Sequence, residues 1–363
     1  MRKARWLASG RNPETKPAIY HSVSRVVDRK FVFFTEERET FRMMMRMYEN
    51  FSGCRVLSYC VMSNHFHILL EVPPMPETGL TDDELLKRLS ALYSEGFVKG
   101  IEDELVAAAG EVDAEDRDQN GAAVAEIHRR FTGRMHNLSE FMKGLLIRFT
   151  RWFNRKHSRR GTLWEERFKS VIVESGAAAR TMAAYIDLNP VRAGMAKDPA
   201  DYRWSSYGEA IGGGSKGNGR KAREGLVRAM LSHEGTGFEE EKWGEVSSRY
   251  RRLMGMALER KPQKAEVRRE GRHTKTKNTA EALESGDNET VLKDLGVARM
   301  LRCRVRYFSD GAVIGSKEFV NEAFENARER FSEKRKSGAR KLRGNAAAAD
   351  GLWSARDLRV GIS

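Results

Sequence analysis

The stretch that most constrains this chain is Tyr59-Cys60-Val61-Met62-Ser63-Asn64-His65-Phe66-His67-Ile68-Leu69-Leu70-Glu71. Apolar runs rich in β-branched and aromatic residues flank the turn-forming pair Ser63-Asn64, so it reads as two short strands joined by a tight turn. Side chains alternate across a strand. His65 and His67 therefore project from one face, and Phe66, Ile68 and Leu70 from the other. Two neutral imidazoles on a rigid strand make half of a metal site. With 8 His in the chain, such a pair also arises by accident, and buried histidines often only satisfy backbone groups.

A second constellation gives the pair its weight: Ala183-Ala184-Tyr185-Ile186-Asp187-Leu188-Asn189-Pro190-Val191-Arg192-Ala193-Gly194. Good helix formers without a breaker predict a helix from Ala177 to Leu188, and Pro190 biases Asn189 out of the helical region. Tyr185 and Asn189 are four apart and share a face at the end of that helix. Tyr185 offers an oxygen nucleophile, and Asn189 an amide oxygen able to ligate a metal. Beside the histidines this makes three neutral ligands and a hydroxyl. The bland account of Tyr185 is a half-buried tyrosine hydrogen-bonded at its tip.

At these residues the chain resembles a known family. His65-Phe66-His67 is similar to the His-hydrophobic-His motif of HUH nucleases, and Tyr185 to Gly194 resembles the nucleophile helix of the REP-associated tyrosine transposases. Further pieces in the family's order are Tyr20-His21-Ser22-Val23-Ser24-Arg25, Phe153-Asn154-Arg155-Lys156-His157, Gly161 to Ser170, and Asp201 to Tyr207, covering roughly the first 210 residues. The resemblance implies an α+β fold: an antiparallel sheet flanked by helices (HUH-nuclease, ferredoxin-like), followed by a mostly helical C-terminal extension. It also implies a transposase and endonuclease that cleaves and rejoins single-stranded or hairpin DNA. His65, His67 and Asn189 would hold one divalent metal, Mg²⁺ or Mn²⁺, and Tyr185 would attack the phosphate, leaving a 5′-phosphotyrosine. Ligand softness alone would suit Zn, Mn or Co. Ser63 stands where relatives often carry Pro. The competing reading is a catalytically inactive, domesticated regulator that binds hairpin DNA.

Net charge is +14 with a pI near 9.7, which favours a polyanionic partner, nucleic acid before membrane. No run approaches the ~18 apolar residues of a membrane span. The first residues, Met1-Arg2-Lys3-Ala4-Arg5-Trp6, lack the apolar centre of a signal peptide. Cys54, Cys60 and Cys303 form no paired framework, so a reducing cytoplasm fits best, and the resemblance implies a bacterial one, close to the nucleoid. Expected DNA contacts are Arg2, Lys3 and Arg5 in a basic N-terminal arm, Arg25 on the first strand, and Arg155, Lys156, Arg159, Arg160 and Trp164, where a basic run meets an aromatic. His21 reads as structural or DNA-contacting rather than as a ligand. Glu71, an even number of positions beyond His67, reads as a group behind the metal. A homodimer is left open.

Strands are expected near 19–27, 55–62, 65–72 and 163–174. Thr35 opens a helix whose apolar stripe includes Phe41, Met44, Met45 and Tyr48. A further helix runs from about Thr81 to Tyr93, and an amphipathic one from Leu138 to about Asn154. The expected organisation is a catalytic domain at 1–210 with an acidic helical insertion at about 95–135, then a flexible Gly-rich linker at 211–225 and a helical segment at 226–260. A basic disordered linker at 261–285 and a small basic module at 286–345, able to grip duplex DNA, follow. Within that module Cys303 to Phe308 reads as a strand, and Ser316 through Phe331 as a helix.

Overall fold

Two histidines on one strand need a sheet to hold them, and the computed structural model supplies one. It describes residues 6–7, 17–110, 117–213, 217–231, 240–258, 298, 301, 307–341 and 351–355. Strand β1 is Ala18–Arg25, β2 is Arg55–Val61 and β3 is His65–Val72. β4 is Lys169–Val173, β5 Val313–Gly315, β6 Arg340–Lys341 and β7 Trp353–Ala355. They form one sheet in the order β2-β3-β1-β4-β5-β7-β6. The β4–β5 pair is parallel and the other pairs are antiparallel, so the α+β fold has a mixed sheet.

One face is closed by α1 (Thr35–Ser52) and α5 (Leu138–Lys156). Phe41, Met45, Leu145 and Phe149 pack there against Tyr59, Phe66 and Ile68, as the strand alternation requires. Thr35 is the first helical residue rather than the cap. The Glu37 carboxylate reaches back to accept the Phe34 N–H at 3.2 Å. Asn137 caps α5, its side-chain oxygen accepting from Ser139 and Glu140 N–H.

Between them, α2 (Asp82–Leu89), α3 (Glu95–Ala109) and α4 (Arg117–Thr132) enclose a core of their own around Phe51, Leu85, Leu89, Ile101, Leu105 and Phe131. Helices α3 and α4 fall in the stretch expected as an acidic helical insertion, about 95–135. Its acidic cluster at 111–118 lies outside the described side chains.

The opposite face, which carries the histidines, is covered by α6 (Ala177–Asp187) and the short α7 (Asn189–Arg192). They are joined there by α8 (Ser206–Gly212), α9 (Asn218–Leu231) and α10 (Glu240–Leu258). The chain stays helical past Pro190 because that proline opens a new turn, where a missing N–H costs nothing. The stretch expected as a flexible linker, 211–225, instead holds the end of α8 and the first half of α9. Leu226, Val227 and Met230 of α9 are buried, and that apolar stripe outweighs the glycines before it.

Gly225 sets how closely α9 meets the sheet. A Cβ there would stand 2.3 Å from the Val56 carbonyl oxygen and 2.8 Å from that of Leu57. Gly225→Ala must push the helix off β2, and the expected cost is about 1–3 kcal/mol. A urea titration should show a lower midpoint with an unchanged slope. An unshifted midpoint would contradict this packing.

Three expectations are corrected. The strand expected from Leu163 begins only at Lys169, with Trp164 touching β1 through an isolated bridge to Val26. The later region is mostly helical among the described residues, as expected, and it also adds three short strands, β5, β6 and β7, to the sheet. Tyr307–Asp310 is a helical turn, α11, where a strand was expected, while 302–306 lie outside the described residues. Helix α12 covers Lys317–Glu325, shorter than expected, with the Ser316 hydroxyl accepting from Phe319 N–H. The basic stretch at 261–285 also lies outside the described residues. Among those described, no helix is long and apolar enough to cross a membrane.

Candidate active site

The hairpin turn is tied down on all sides. Met62 N–H donates to His65 O at 2.8 Å, Val26 N–H to Asn64 O at 2.9 Å, and Val32 and Phe33 N–H to Ser63 O at 3.1 and 3.0 Å. Asn64 donates Nδ2–H to Arg29 O at 2.9 Å, which fixes its amide and leaves Oδ1 as an acceptor. Oδ1 lies 2.8 Å from His65 Nδ1, so that nitrogen carries the proton and Nε2 holds the lone pair. His67 Nδ1 lies 2.9 Å from His21 Nε2. Among the described residues neither Nε2 of the pair makes a hydrogen bond.

Both imidazoles are kept neutral. Burial, reinforced by Arg25, lowers the pKa of His65 to about 4. Burial first, then His65, His21 and Arg25, holds that of His67 well below the ordinary value. A metal ligand must be in this form.

Tyr185 arrives from α6, about 120 residues further along. Its ring centroid stands 5.9 Å from that of His67 and 6.2 Å from that of His21, both edge-on. Phe308 packs on the phenol ring at 4.8 Å, and the Arg192 guanidinium lies 5.7 Å from its centroid. Arg192 also donates to Leu301 O at 2.7 Å. Asn189 opens α7 one turn beyond Tyr185, half-buried, with Nδ2 buried and without a hydrogen-bond partner among the described residues. An amide with an unbonded buried edge can turn over to present its oxygen.

Helix α6 is held by Asp187. This buried carboxylate accepts from Tyr250 Oη–H at 2.7 Å, Tyr207 N–H at 2.9 Å and Ser58 Oγ–H at 3.5 Å. Burial pushes its pKa up to about 7, while the hydrogen bonds from Tyr207, Tyr250, Ser205 and Ser58 pull the other way. It anchors the helix that carries the phenol.

Two neutral imidazoles with free Nε2 atoms suit a divalent ion of intermediate softness. No group of three or more His, Cys, Asp or Glu able to hold a metal exists among the described residues, so an amide would have to complete the set. Glu71 is not behind the histidines. It is buried at the far end of β3, accepting from Arg55 at 2.9 Å and Arg228 at 3.2 Å.

Of the expected DNA contacts, Arg25 is exposed and sits directly opposite His65 across the β1–β3 ladder. The basic loop reaches the same end of the sheet, since Glu165 N–H donates to Arg25 O at 2.9 Å and Val27 N–H to Leu163 O at 3.0 Å. Arg155 and Arg160 are exposed. Lys156 pairs with Glu36, and Arg159 folds back onto Asn154 Oδ1 and Thr162 O. Trp164 is half-buried and held by the core on one side. Its ring packs among Phe33, Phe66 and Phe149, and its indole N–H donates to Thr150 Oγ1 at 2.9 Å. Arg2, Lys3 and Arg5 lie outside the described residues, but Trp6 is buried edge-on against Phe331 at 5.3 Å.

Sequence reasoning missed what Asn64, His21, Asp187 and Phe308 do here. Asn64 was visible as a turn residue next to a histidine. The other three depend on partners that only the tertiary fold brings near.

Residues 15–81 match the family model described as "Transposase IS200 like". The matched stretch spans β1, α1 and the hairpin with His21, His65 and His67, and stops before Tyr185. A solved structure titled "Structure of the REP associates tyrosine transposase bound to a REP hairpin" is similar over 66% of this chain and 96% of that one. Its identity is 12% and its TM-score 0.32. No curated protein matches the chain.

Proposed function

We propose that this chain is a metal-dependent single-strand DNA transposase and endonuclease acting at hairpin sequences, with Tyr185 as nucleophile. The observation that carries this reading is the approach of the Tyr185 ring to 5.9 Å from His67, two residues that the sequence keeps far apart. HUH enzymes generally use a divalent metal, and His65 Nε2, His67 Nε2 and the Asn189 amide oxygen would hold it. Held there, it would supply Lewis acidity to the scissile phosphate.

The remaining work falls to the chain's own groups. Tyr185 Oη forms a bond to phosphorus as the bond to the 3′ oxygen breaks. The phenol gives up its proton, and the departing oxygen takes one up to become a 3′-hydroxyl. The bond energy stays in the 5′-phosphotyrosine, so rejoining needs no nucleotide cofactor. Arg192 keeps positive charge over the phenol, where negative charge develops. Arg25, Arg155 and Arg160 face solvent and suit the DNA backbone near the histidine end of the sheet.

Cleavage of a single-stranded hairpin substrate should require Mn²⁺ or Mg²⁺ and stop on chelation. His65→Ala and His67→Ala should each lower the rate by about 100-fold or more, a barrier increase of about 2.7 kcal/mol. Undiminished cleavage by both variants in chelator would overturn the metal reading.

A further inference from the structure

Behind His67 lies a directional chain of hydrogen bonds that begins in the C-terminal region. Phe308 O stands 2.6 Å from His21 Nδ1, and His21 Nε2 stands 2.9 Å from His67 Nδ1. The two imidazole planes are only 14° apart, with centroids 5.1 Å apart. That separation exceeds the nitrogen–nitrogen distance by about the two ring radii. The rings therefore meet edge to edge, with the bond in the plane where the lone pair lies, and are not stacked face on.

The direction of every proton follows. A carbonyl oxygen only accepts, so His21 Nδ1 must carry its hydrogen. His21 is wholly buried, and among the described residues no carboxylate bonds it to stabilise a charge, so its ring is neutral. A neutral ring with hydrogen on Nδ1 has its lone pair on Nε2. The hydrogen between the two rings then belongs to His67 Nδ1, and the lone pair of His67 is left on Nε2. Both nitrogens of His21 are spent in this chain, which removes it as a ligand.

We propose that His21, oriented by the main-chain carbonyl of Phe308, is a positioning residue that fixes His67 in its Nδ1–H tautomer and aims Nε2 at the metal. The inference rests on the metal reading above and adds to it. Ligating imidazoles usually lean on a carboxylate, carbonyl or water. Among the described residues no carboxylate bonds either ring here, and a second imidazole relays the constraint instead. His65 takes its orientation from the adjacent Asn64. His67 takes its own from β1 and from a carbonyl 287 positions beyond His21. The C-terminal region thus helps to set the geometry of a group on the third strand.

The test uses the full chain. In metal-free wild type, two-bond ¹⁵N–¹H correlation of the histidine rings should report His67 protonated on Nδ1. His21→Phe keeps a flat ring but offers no lone pair, so His67 should populate both tautomers and Mn²⁺ affinity should fall about 10–100-fold. His21→Gln restores an acceptor and should recover most of the affinity, which separates positioning from bulk packing. A wild-type spectrum with the His67 proton on Nε2 overturns the relay outright. So does His21→Phe binding Mn²⁺ as wild type does, provided that His67→Ala loses affinity. Should His67→Ala bind Mn²⁺ unchanged, the metal reading fails and the inference falls with it.

Discussion

Tyr185→Phe is expected to abolish the covalent protein–DNA adduct and to lower strand cleavage by at least about 10³-fold, roughly 4 kcal/mol of barrier. Hairpin binding should stay within a few-fold of wild type, because backbone contacts from basic side chains carry most of the affinity and the phenol oxygen carries little. The substitution removes one oxygen and leaves the ring, so the contacts with Phe308 and His67 can persist. The reading separates cleanly from its competitors. A hydrolase that activates water would cleave as before without Tyr185 Oη. A hairpin-binding regulator would cleave in neither form. Binding measured by fluorescence anisotropy and cleavage measured on denaturing gels, with the same labelled oligonucleotide, distinguish the three outcomes.

Glu209→Ala is expected to destabilise the fold by about 3 kcal/mol, because the buried Arg46 charge keeps only Glu49 as a counter-charge. Glu209 on α8 is wholly buried, yet its carboxylate accepts from Arg46 at 2.6 Å, Arg42 at 3.1 Å and Tyr59 Oη–H at 3.0 Å. Arg46 also reaches Glu49 at 2.7 Å, whose other oxygen accepts Val56 N–H at 2.8 Å. Burial disfavours the Arg46 charge, but Glu49 and Glu209 outweigh it and raise its pKa above the usual guanidinium value. The network therefore ties α1 and α8 to β2, with a charge that cannot neutralise. Glu209→Gln keeps the shape and some of the hydrogen bonds, so its loss should be smaller. Denaturant midpoints for both variants, converted with a common slope, measure the difference. A change below about 1 kcal/mol for Glu209→Ala would mean that solvent reaches Arg46.

The parts of the site that follow from local periodicity were legible in the sequence. His65 and His67 share a face because a strand alternates, and Tyr185 and Asn189 share one because a helix repeats every 3.6 residues. Even the continuation past Pro190 obeys a local rule, that proline is tolerated in a first turn. What escaped depends on register and on distant return of the chain. Val23, not His21, lies directly opposite His67, and His21 reaches that ring on the diagonal. No pattern within β1 states which residue of β3 it will face.

The C-terminal return was hidden for a related reason. Val313–Gly315 is three residues long, too short for alternation to signal a strand, and it pairs in parallel with β4 more than a hundred residues earlier. Trp164 shows how composition leaves packing unread. A tryptophan beside a basic run suits base stacking, but local composition does not reveal Phe33 before α1, Phe66 on β3 and Phe149 on α5, which pack against its ring. The glycines at 212–214 likewise suggested a flexible joint. The apolar stripe that follows binds α9 to the sheet, and Gly225 serves close approach there rather than freedom.

The most direct test of the central claim is to trap the reaction on a hairpin substrate with Mn²⁺, digest the protein and map the nucleotide adduct by mass spectrometry. The account predicts a 5′-phosphonucleotide on the peptide containing Tyr185, absent without metal and absent in Tyr185→Phe. Cleaved DNA with no protein adduct, or an adduct on a different residue, would contradict it.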